Sequence, residues 1–157
     1  MTLIDKLKVY QYIPGFTIIA AVFISIFTGL SSIAYVAIFY WSIYRSDLVP
    51  ISLVGVLGFI SDSLGSHFLG KETFLYLVLT SLVHIDRRYL LHKEFNYLWS
   101  SISSLILVIG IGKGLLAWQL SFSFSSIDQL LDVAVGIVFF PIWIRLMAPL
   151  YSRVATL

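Results

Sequence analysis

The stretch GVLGFISDSLG, residues 55–65, places one carboxylate and two serines inside an otherwise apolar run that extends over residues 48–69. An ionisable residue in such a run lies at a membrane edge, contacts a partner or does chemistry. Four residues of the stretch, spaced three, four and three apart, share one face of a helix: Gly55, Gly58, Asp62 and Gly65. Because small residues let helix backbones approach closely, we expect this face, the Asp62 stripe, to contact a neighbouring helix.

The composition is that of an integral membrane protein. Of the 157 residues, 59% are hydrophobic and only 11% are charged, whereas soluble domains carry about 25% charged residues. A net charge of +2 without a continuous basic tract argues against nucleic-acid binding. The chain has no cysteine, which excludes disulfides, zinc–thiolate sites and iron–sulfur clusters. We expect one all-α transmembrane domain over residues 1–157.

Six apolar segments predict a compact bundle of about six transmembrane helices. A helix needs about 20 apolar residues to cross a bilayer, with about 17 as the minimum. The segments are 14–30, Ser32–Tyr44, 49–65, 69–85, 97–120 and 129–146. The second is short and follows the first after GLSS, so five full spans plus an irregular element is an open alternative. Residues 1–13 fit either a helix on the cytoplasmic surface or an unstructured tail.

The distribution of Lys and Arg predicts the orientation. With the N-terminus inside, the inner side receives eight basic residues: Lys6, Lys8, Arg45, Arg87, Arg88, Lys93, Arg145 and Arg153. The outer side receives only Lys71 and Lys113. Because cytoplasmic loops carry the excess of basic residues, we expect six crossings with both termini in the cytoplasm. Aromatic residues expected at the inner interface are Tyr40, Trp41, Tyr44, Tyr97, Trp99 and Trp143, with Trp118 at the outer one.

The fifth apolar segment carries a second set of small residues around a charge. Gly110 and Gly114 form a GxxxG pair that encloses Lys113. Measured from the inner ends of their helices, Asp62 lies about 20 Å deep and Lys113 about 24 Å deep. We therefore predict an ion pair between Asp62 and Lys113. The alternative is that Asp62 lies at the outer interface with Lys71 while Lys113 reaches that interface separately.

The remaining polar residues form no recognisable catalytic or metal-binding pattern. His67, His84 and His92 show no metal-ligand spacing, and no serine pairs with a histidine as an activated nucleophile would. Asp128 and Asp132 are interpreted as charges favoured by the dipole at the start of the sixth helix. Pro141 inside that helix removes a backbone hydrogen bond and predicts a kink. We expect neither enzymatic activity nor a cofactor or metal.

Residues 39–84 resemble the signature region of the MreD family of bacterial rod-shape-determining membrane proteins. An aromatic helix carrying Tyr40 and Trp41 ends in a turn with Arg45, and a Pro-containing start at Pro50 leads into the Asp62 stripe. Length, span number and short loops agree over the rest of the chain. The turn SHFLGKET departs from the pattern because it carries His67 and Lys71, where a more apolar run is expected.

The resemblance implies a non-catalytic scaffold of the cell-elongation machinery in the bacterial inner membrane. It implies MreC as the partner, within an assembly that includes MreB, the RodA glycan polymerase and a class B penicillin-binding transpeptidase. The Asp62 stripe and the Gly110–Gly114 face are the candidate contact surfaces for MreC. The family also resembles in fold the S-components of energy-coupling-factor transporters. The alternative function is therefore vitamin capture, in a pocket lined by Asp62, Glu72, Lys113 and Asp132.

Overall fold

The computed structural model describes residues 3–65, 70–119 and 126–155. Within these ranges the chain forms six α-helices and one 3₁₀ turn at Ser46–Leu48. The helices are α1 Leu3–Thr28, α2 Ser32–Tyr44, α3 Ile51–Gly65, α4 Lys71–Leu90, α5 Phe95–Gln119 and α6 Ser126–Ala155. The prediction of an all-helical chain with six helices is confirmed. Two stretches, Phe95–Leu115 and Ile127–Pro149, are long and apolar enough to cross a membrane.

Helix α2, the weakest span in the sequence, is the centre of the bundle. Every residue from Ser32 to Ile43 is buried, and the helix packs against α1, α4 and α6. Its 13 residues rise by about 20 Å, less than the hydrocarbon thickness of about 30 Å. A helix enclosed by protein on all sides does not need to match the bilayer. The short length of α2 therefore reflects its position in the core.

Helix α1 runs without interruption from Leu3 to Thr28 through Pro14. Residues 3–13 are thus continuous with the first apolar segment, and their location on a membrane surface stays a prediction. The chain then turns sharply into α2 at Gly29, whose φ of 72° lies in the left-handed region. Glycine adopts this conformation without steric cost, which explains how a connection as short as GLSS joins two packed helices.

Two helix pairs flank α2: the first hairpin, α3–α4, and the second hairpin, α5–α6. Each pair meets at a glycine. A Cβ atom at Gly58 would lie 2.5 Å from the Cα atom of Thr73 on α4. A Cβ atom at Gly110 would lie 2.6 Å from Cγ2 of Val133 on α6. Close backbone approach at these points fixes how the helices of each hairpin pack.

The predicted loss of a backbone hydrogen bond at Pro141 is compensated within the second hairpin. Because proline has no N–H, the carbonyl of Ile137, four residues earlier, lacks its helical donor. The indole Nε1 of Trp99 on α5 donates to this carbonyl at 3.0 Å. Trp99 therefore has a structural contact that its interpretation as an interfacial anchor did not include.

Candidate functional site

A buried polar network lies at the end of the bundle where α2 and α4 begin. Its members come from the α1–α2 turn and from five helices: Ser31, Tyr35, Asp62, Glu72, Lys113 and Asp132. Helix N-termini leave backbone N–H groups without intrahelical acceptors. In a membrane such groups cost several kcal/mol unless they are bonded, and the network supplies their acceptors.

Asp62 caps the N-terminus of α4 although it belongs to α3. Its Oδ1 accepts the backbone N–H of Glu72 at 2.8 Å. Its Oδ2 accepts from the backbone N–H of Gly70 at 3.0 Å, the backbone N–H of Thr73 at 2.9 Å and the Thr73 hydroxyl at 2.6 Å. The side chain is buried, with 1% exposed. The positive end of the helix dipole favours a carboxylate at this position, so the charge stabilises the first hairpin.

Glu72 is the centre of the network. Its Oε1 accepts from Lys113 at 3.0 Å and lies 3.4 Å from the ammonium of Lys71. Its Oε2 accepts the hydroxyl of Tyr35 on α2. Glu72 thereby connects the first hairpin to the central helix and to the second hairpin. The sequence offered one signal for this role of Glu72, namely its position directly after the helix start at Gly70 and Lys71.

The predicted ion pair between Asp62 and Lys113 is wrong. Lys113 pairs with Glu72 instead, and its Nζ also donates to the Ser31 hydroxyl at 2.6 Å. The physical reason is that the oxygens of Asp62 are occupied by the backbone of α4. The similar depths of Asp62 and Lys113 along their helices place both in one network. Depth alone could not show that Glu72 is the residue that bonds to each of them.

Asp132 caps α2 rather than its own helix. Its Oδ1 accepts the backbone N–H of Ser32 at 2.9 Å, and its Oδ2 accepts the Ser31 hydroxyl at 2.8 Å. The interpretation of Asp132 as a dipole charge of the sixth helix is therefore wrong. Asp128, exposed in the first turn of α6, does lie where that interpretation placed it. Two hairpins thus each supply a carboxylate that caps a helix of the bundle.

A small cleft lies beside the network. It is lined on its polar side by Tyr35, Lys113, Gln129 and Asp132 and has a volume of about 20 Å³, which is room for about one water molecule. Ligand pockets for drug-sized molecules measure about 300–1,000 Å³. This cleft is too small for a vitamin. The four residues proposed to line a vitamin pocket bond to each other, to Ser31 or to helix backbones instead.

The histidines contribute no metal site in the described part of the chain. No group of three or more His, Cys, Asp or Glu residues there could hold a metal ion. His84 and His92 each bond through Nδ1 to the carbonyl four residues earlier, those of Thr80 and Arg88. His67 lies outside the described residues.

The two glycine faces both pack within the chain. A Cβ at Gly55 would contact Leu77 of α4 at 3.6 Å, and one at Gly65 would contact Ile26 of α1 at 3.8 Å. A Cβ at Gly114 would lie 3.1 Å from the side-chain oxygen of Gln129 on α6. Most of each face is therefore covered by helices of this chain, whereas Gly65 at the end of α3 is exposed. Partner contacts of the stripe residues stay a prediction.

The signature-region aromatics are mostly inside the bundle. Tyr40 and Trp41 are buried, and their rings meet edge to face at 5.2 Å. Trp143 is also buried. These three side chains therefore face protein, and the prediction that they anchor the chain in lipid is wrong. Tyr97 and Trp99 are exposed as that prediction expects.

Two further signature residues define the connection between α2 and α3. Arg45 follows the last turn of α2 and forms an ion pair with Asp47 at 3.2 Å. The carbonyl of Pro50 accepts the N–H groups of Leu53 and Val54 at the start of α3.

Arg87 of α4 donates through Nε to the Ile43 carbonyl at 2.9 Å and so caps the C-terminal end of α2.

The chain matches the model of a known protein family. The model of the family described as rod shape-determining protein MreD matches residues 9–149. The match extends from α1 to α6 and includes every residue of the buried polar network. No curated protein and no solved structure matches the chain.

Proposed function

Because the chain belongs to the MreD family of rod shape-determining membrane proteins, we propose that it is a non-catalytic scaffold of the bacterial cell-elongation machinery. In this role it binds MreC and helps to organise peptidoglycan synthesis in the inner membrane. The observation that carries the proposal is the family match over nearly the whole chain. MreB, RodA and a class B penicillin-binding transpeptidase are the further members of the assembly that the resemblance implies.

The geometry of the buried polar network supports a scaffold role. Asp62 and Asp132 cap helix N-termini, and Glu72 and Lys113 bond to each other. These are the ionisable residues that a catalytic or transport function would draw on. Their use in joining helices favours a protein whose function is to present a fixed surface.

We place the MreC contact on the outward face of the second hairpin. Gly55 and Gly58 on α3, and Gly110 and Gly114 on α5, pack against other helices of this chain. By contrast, α5 and α6 expose an apolar surface over much of their length: Leu107, Val108, Ile111, Leu115, Val138 and Ile142. A single transmembrane helix can pack against such a surface without displacing any part of the bundle.

Cysteine cross-linking tests this placement, and the cysteine-free chain makes it straightforward. Ile111→Cys on α5 and Phe59→Cys on α3 form a matched pair, since the side chains are 62% and 61% exposed. Each is co-expressed with MreC that carries a cysteine in its transmembrane helix. We expect a cross-link from Ile111→Cys and none from Phe59→Cys. Cross-linking from Phe59→Cys alone would move the contact to the first hairpin.

Affinity purification tests the function itself. The tagged chain is purified in mild detergent from a rod-shaped bacterium, and the retained proteins are identified by mass spectrometry. Recovery of MreC with cell-wall synthases is the expected result. Recovery of a transport ATPase with its membrane coupling subunit would contradict the scaffold and favour vitamin capture.

The orientation is proposed from the eight basic residues on one side. Single-cysteine variants at Lys93 and Ser123 test it, because the predicted topology puts these positions on opposite sides of the membrane. A membrane-impermeant thiol reagent added to intact spheroplasts should label Ser123→Cys and spare Lys93→Cys. The reverse labelling would invert the proposed topology.

A further inference from the structure

The connection between α4 and α5 holds a lysine between two tyrosines. The ammonium of Lys93 lies 4.1 Å from the ring centroid of Tyr89 and 5.4 Å from that of Tyr97. The two rings meet edge to face with centroids 5.6 Å apart. Attraction between a cation and an aromatic face holds the ammonium in place. The Tyr89 hydroxyl also raises the pKa of Lys93.

The surroundings of Lys93 leave this charge available at the surface. None of the ion pairs among the described residues involves Lys93 or Arg88. Arg88 and His92 are exposed beside it, whereas Arg87 turns inward to the Ile43 carbonyl. The acidic neighbours, Asp86 and Glu94, are exposed at either end of the turn.

The same turn exposes apolar side chains next to its cations. Ile85 on α4, Leu91 in the turn and Phe95 on α5 are all exposed. Trp99 lies one helical turn further along α5 and is 41% exposed. Exposed apolar, aromatic and basic side chains that lie close together are typical of the membrane interface, where acyl chains meet lipid headgroups. Residues 85–97 therefore form an interfacial surface, which we call the tyrosine–lysine turn.

We propose that the tyrosine–lysine turn binds the phosphate of an anionic phospholipid, with Lys93 and Arg88 as its cationic ligands. Basic side chains near a membrane surface attract anionic lipids, and charge-assisted hydrogen bonds to phosphate oxygens add to that attraction. Ile85, Leu91 and Phe95 contact the acyl chains of the same lipid. The partner is a lipid because the cations lie beside exposed apolar side chains. The inference goes beyond the scaffold role and does not depend on MreC.

Quenching of tryptophan fluorescence by brominated lipid tests the proposal. The full chain, with Trp118→Phe to remove the tryptophan at the far end of α5, is reconstituted into phosphatidylcholine vesicles. Increasing fractions of dibrominated phosphatidylglycerol are added, and dibrominated phosphatidylcholine serves as the reference. Trp99 reports on the turn, since Trp41 and Trp143 are buried. We expect stronger quenching by the anionic lipid, and high salt should reduce that preference.

Charge variants show whether the preference belongs to the turn. Lys93→Gln and Arg88→Gln should each lower the apparent affinity for the anionic lipid about fivefold, the effect of one basic residue at a lipid surface. Glu94→Gln should raise it. Arg145→Gln, which removes an exposed charge on α6, is the control and should leave it unchanged. Equal quenching by both lipids, or an equal loss with Arg145→Gln, would overturn the proposal.

Discussion

Each of the two hairpins that flank α2 has a glycine where its helices meet, but the two glycines pack against different groups. In the first hairpin a Cβ at Gly58 would meet the backbone of Thr73, with Cα at 2.5 Å and N at 3.1 Å. In the second a Cβ at Gly110 would meet one methyl group of Val133 at 2.6 Å. A side chain can rotate away, whereas a helix backbone cannot. The contact at Gly58 is therefore rigid, whereas the contact at Gly110 can adjust, and glycine spacing in the sequence does not distinguish the two.

The capping carboxylates of the two hairpins, Asp62 and Asp132, differ in which helix they cap. Asp62 accepts four hydrogen bonds from residues 70–73 and so joins α3 to α4. Asp132 accepts two, both from residues before or at the start of α2, and so ties the second hairpin to the centre. The carboxylate cap of the first hairpin is therefore internal to that hairpin, whereas the carboxylate cap of the second joins it to the central helix.

The largest effect is expected from Asp62→Ala. The substitution leaves buried N–H groups of α4 without acceptors, each at a cost of about 1–3 kcal/mol. We expect a loss of about 4 kcal/mol in the free energy of unfolding, measured by denaturant titration in mild detergent with circular dichroism. Asp128→Ala is the control, because Asp128 is exposed, and should cost about 0.5 kcal/mol. Similar losses in both variants would contradict the assignment of Asp62 as the cap.

The second effect tests the link between the hairpins. Lys113→Met removes the 3.0 Å partner of the buried Glu72 carboxylate, leaves Lys71 at 3.4 Å as its remaining cation, and should cost about 3 kcal/mol. The double variant Glu72→Gln with Lys113→Met should cost less than Lys113→Met alone, because the buried carboxylate that lost its closer partner is gone while Gln can still accept from Tyr35. Strictly additive losses in the same unfolding titration would show that the pair is not coupled.

The sequence alone predicted much of the fold. Apolar run lengths located six helices, and glycine spacing indicated which helix faces are buried in contacts. Run length and glycine spacing are local features, so one amino-acid sequence is enough to recognise them. The central position of α2 could not be predicted, because its burial depends on α4 and α6, which are distant in sequence, as well as on the preceding helix α1. Run length alone identified Ser32–Tyr44 as the weakest span.

The site was only partly predictable for the same reason. Asp62, Lys113 and Asp132 stood out as charges in apolar segments. Their partners depend on which helix N-terminus lies beside them, and that follows from tertiary packing. From the sequence, Glu72 is predicted only as one lining residue of a vitamin pocket. In the structure, the αL glycine before its helix, Gly70 with φ 95°, marks the helix start that Asp62 caps.

Paired glycine variants test the difference between the hairpins directly. Gly58→Ala should cost about 2 kcal/mol because backbone must move to admit the Cβ. Gly110→Ala should cost less than about 1 kcal/mol, since Val133 can change rotamer. Gly112→Ala, where a Cβ would have no atom within 4 Å, controls for helix propensity. Equal losses at Gly58 and Gly110 in thermal unfolding would show that both contacts are equally rigid.

The smallest effect concerns the Ile137 carbonyl, which lacks a helical donor because of Pro141 in the second hairpin. Trp99→Phe keeps the aromatic packing but removes the donor to the Ile137 carbonyl, at a cost of about 1 kcal/mol for one interhelical hydrogen bond. Pro141→Ala restores a backbone N–H four residues after Ile137, so the carbonyl regains its helical donor. In that background Trp99→Phe should cost nothing measurable. If Trp99→Phe cost the same in both backgrounds, the effect would come from packing, and the hydrogen bond to the Ile137 carbonyl would not contribute to the stability of the second hairpin.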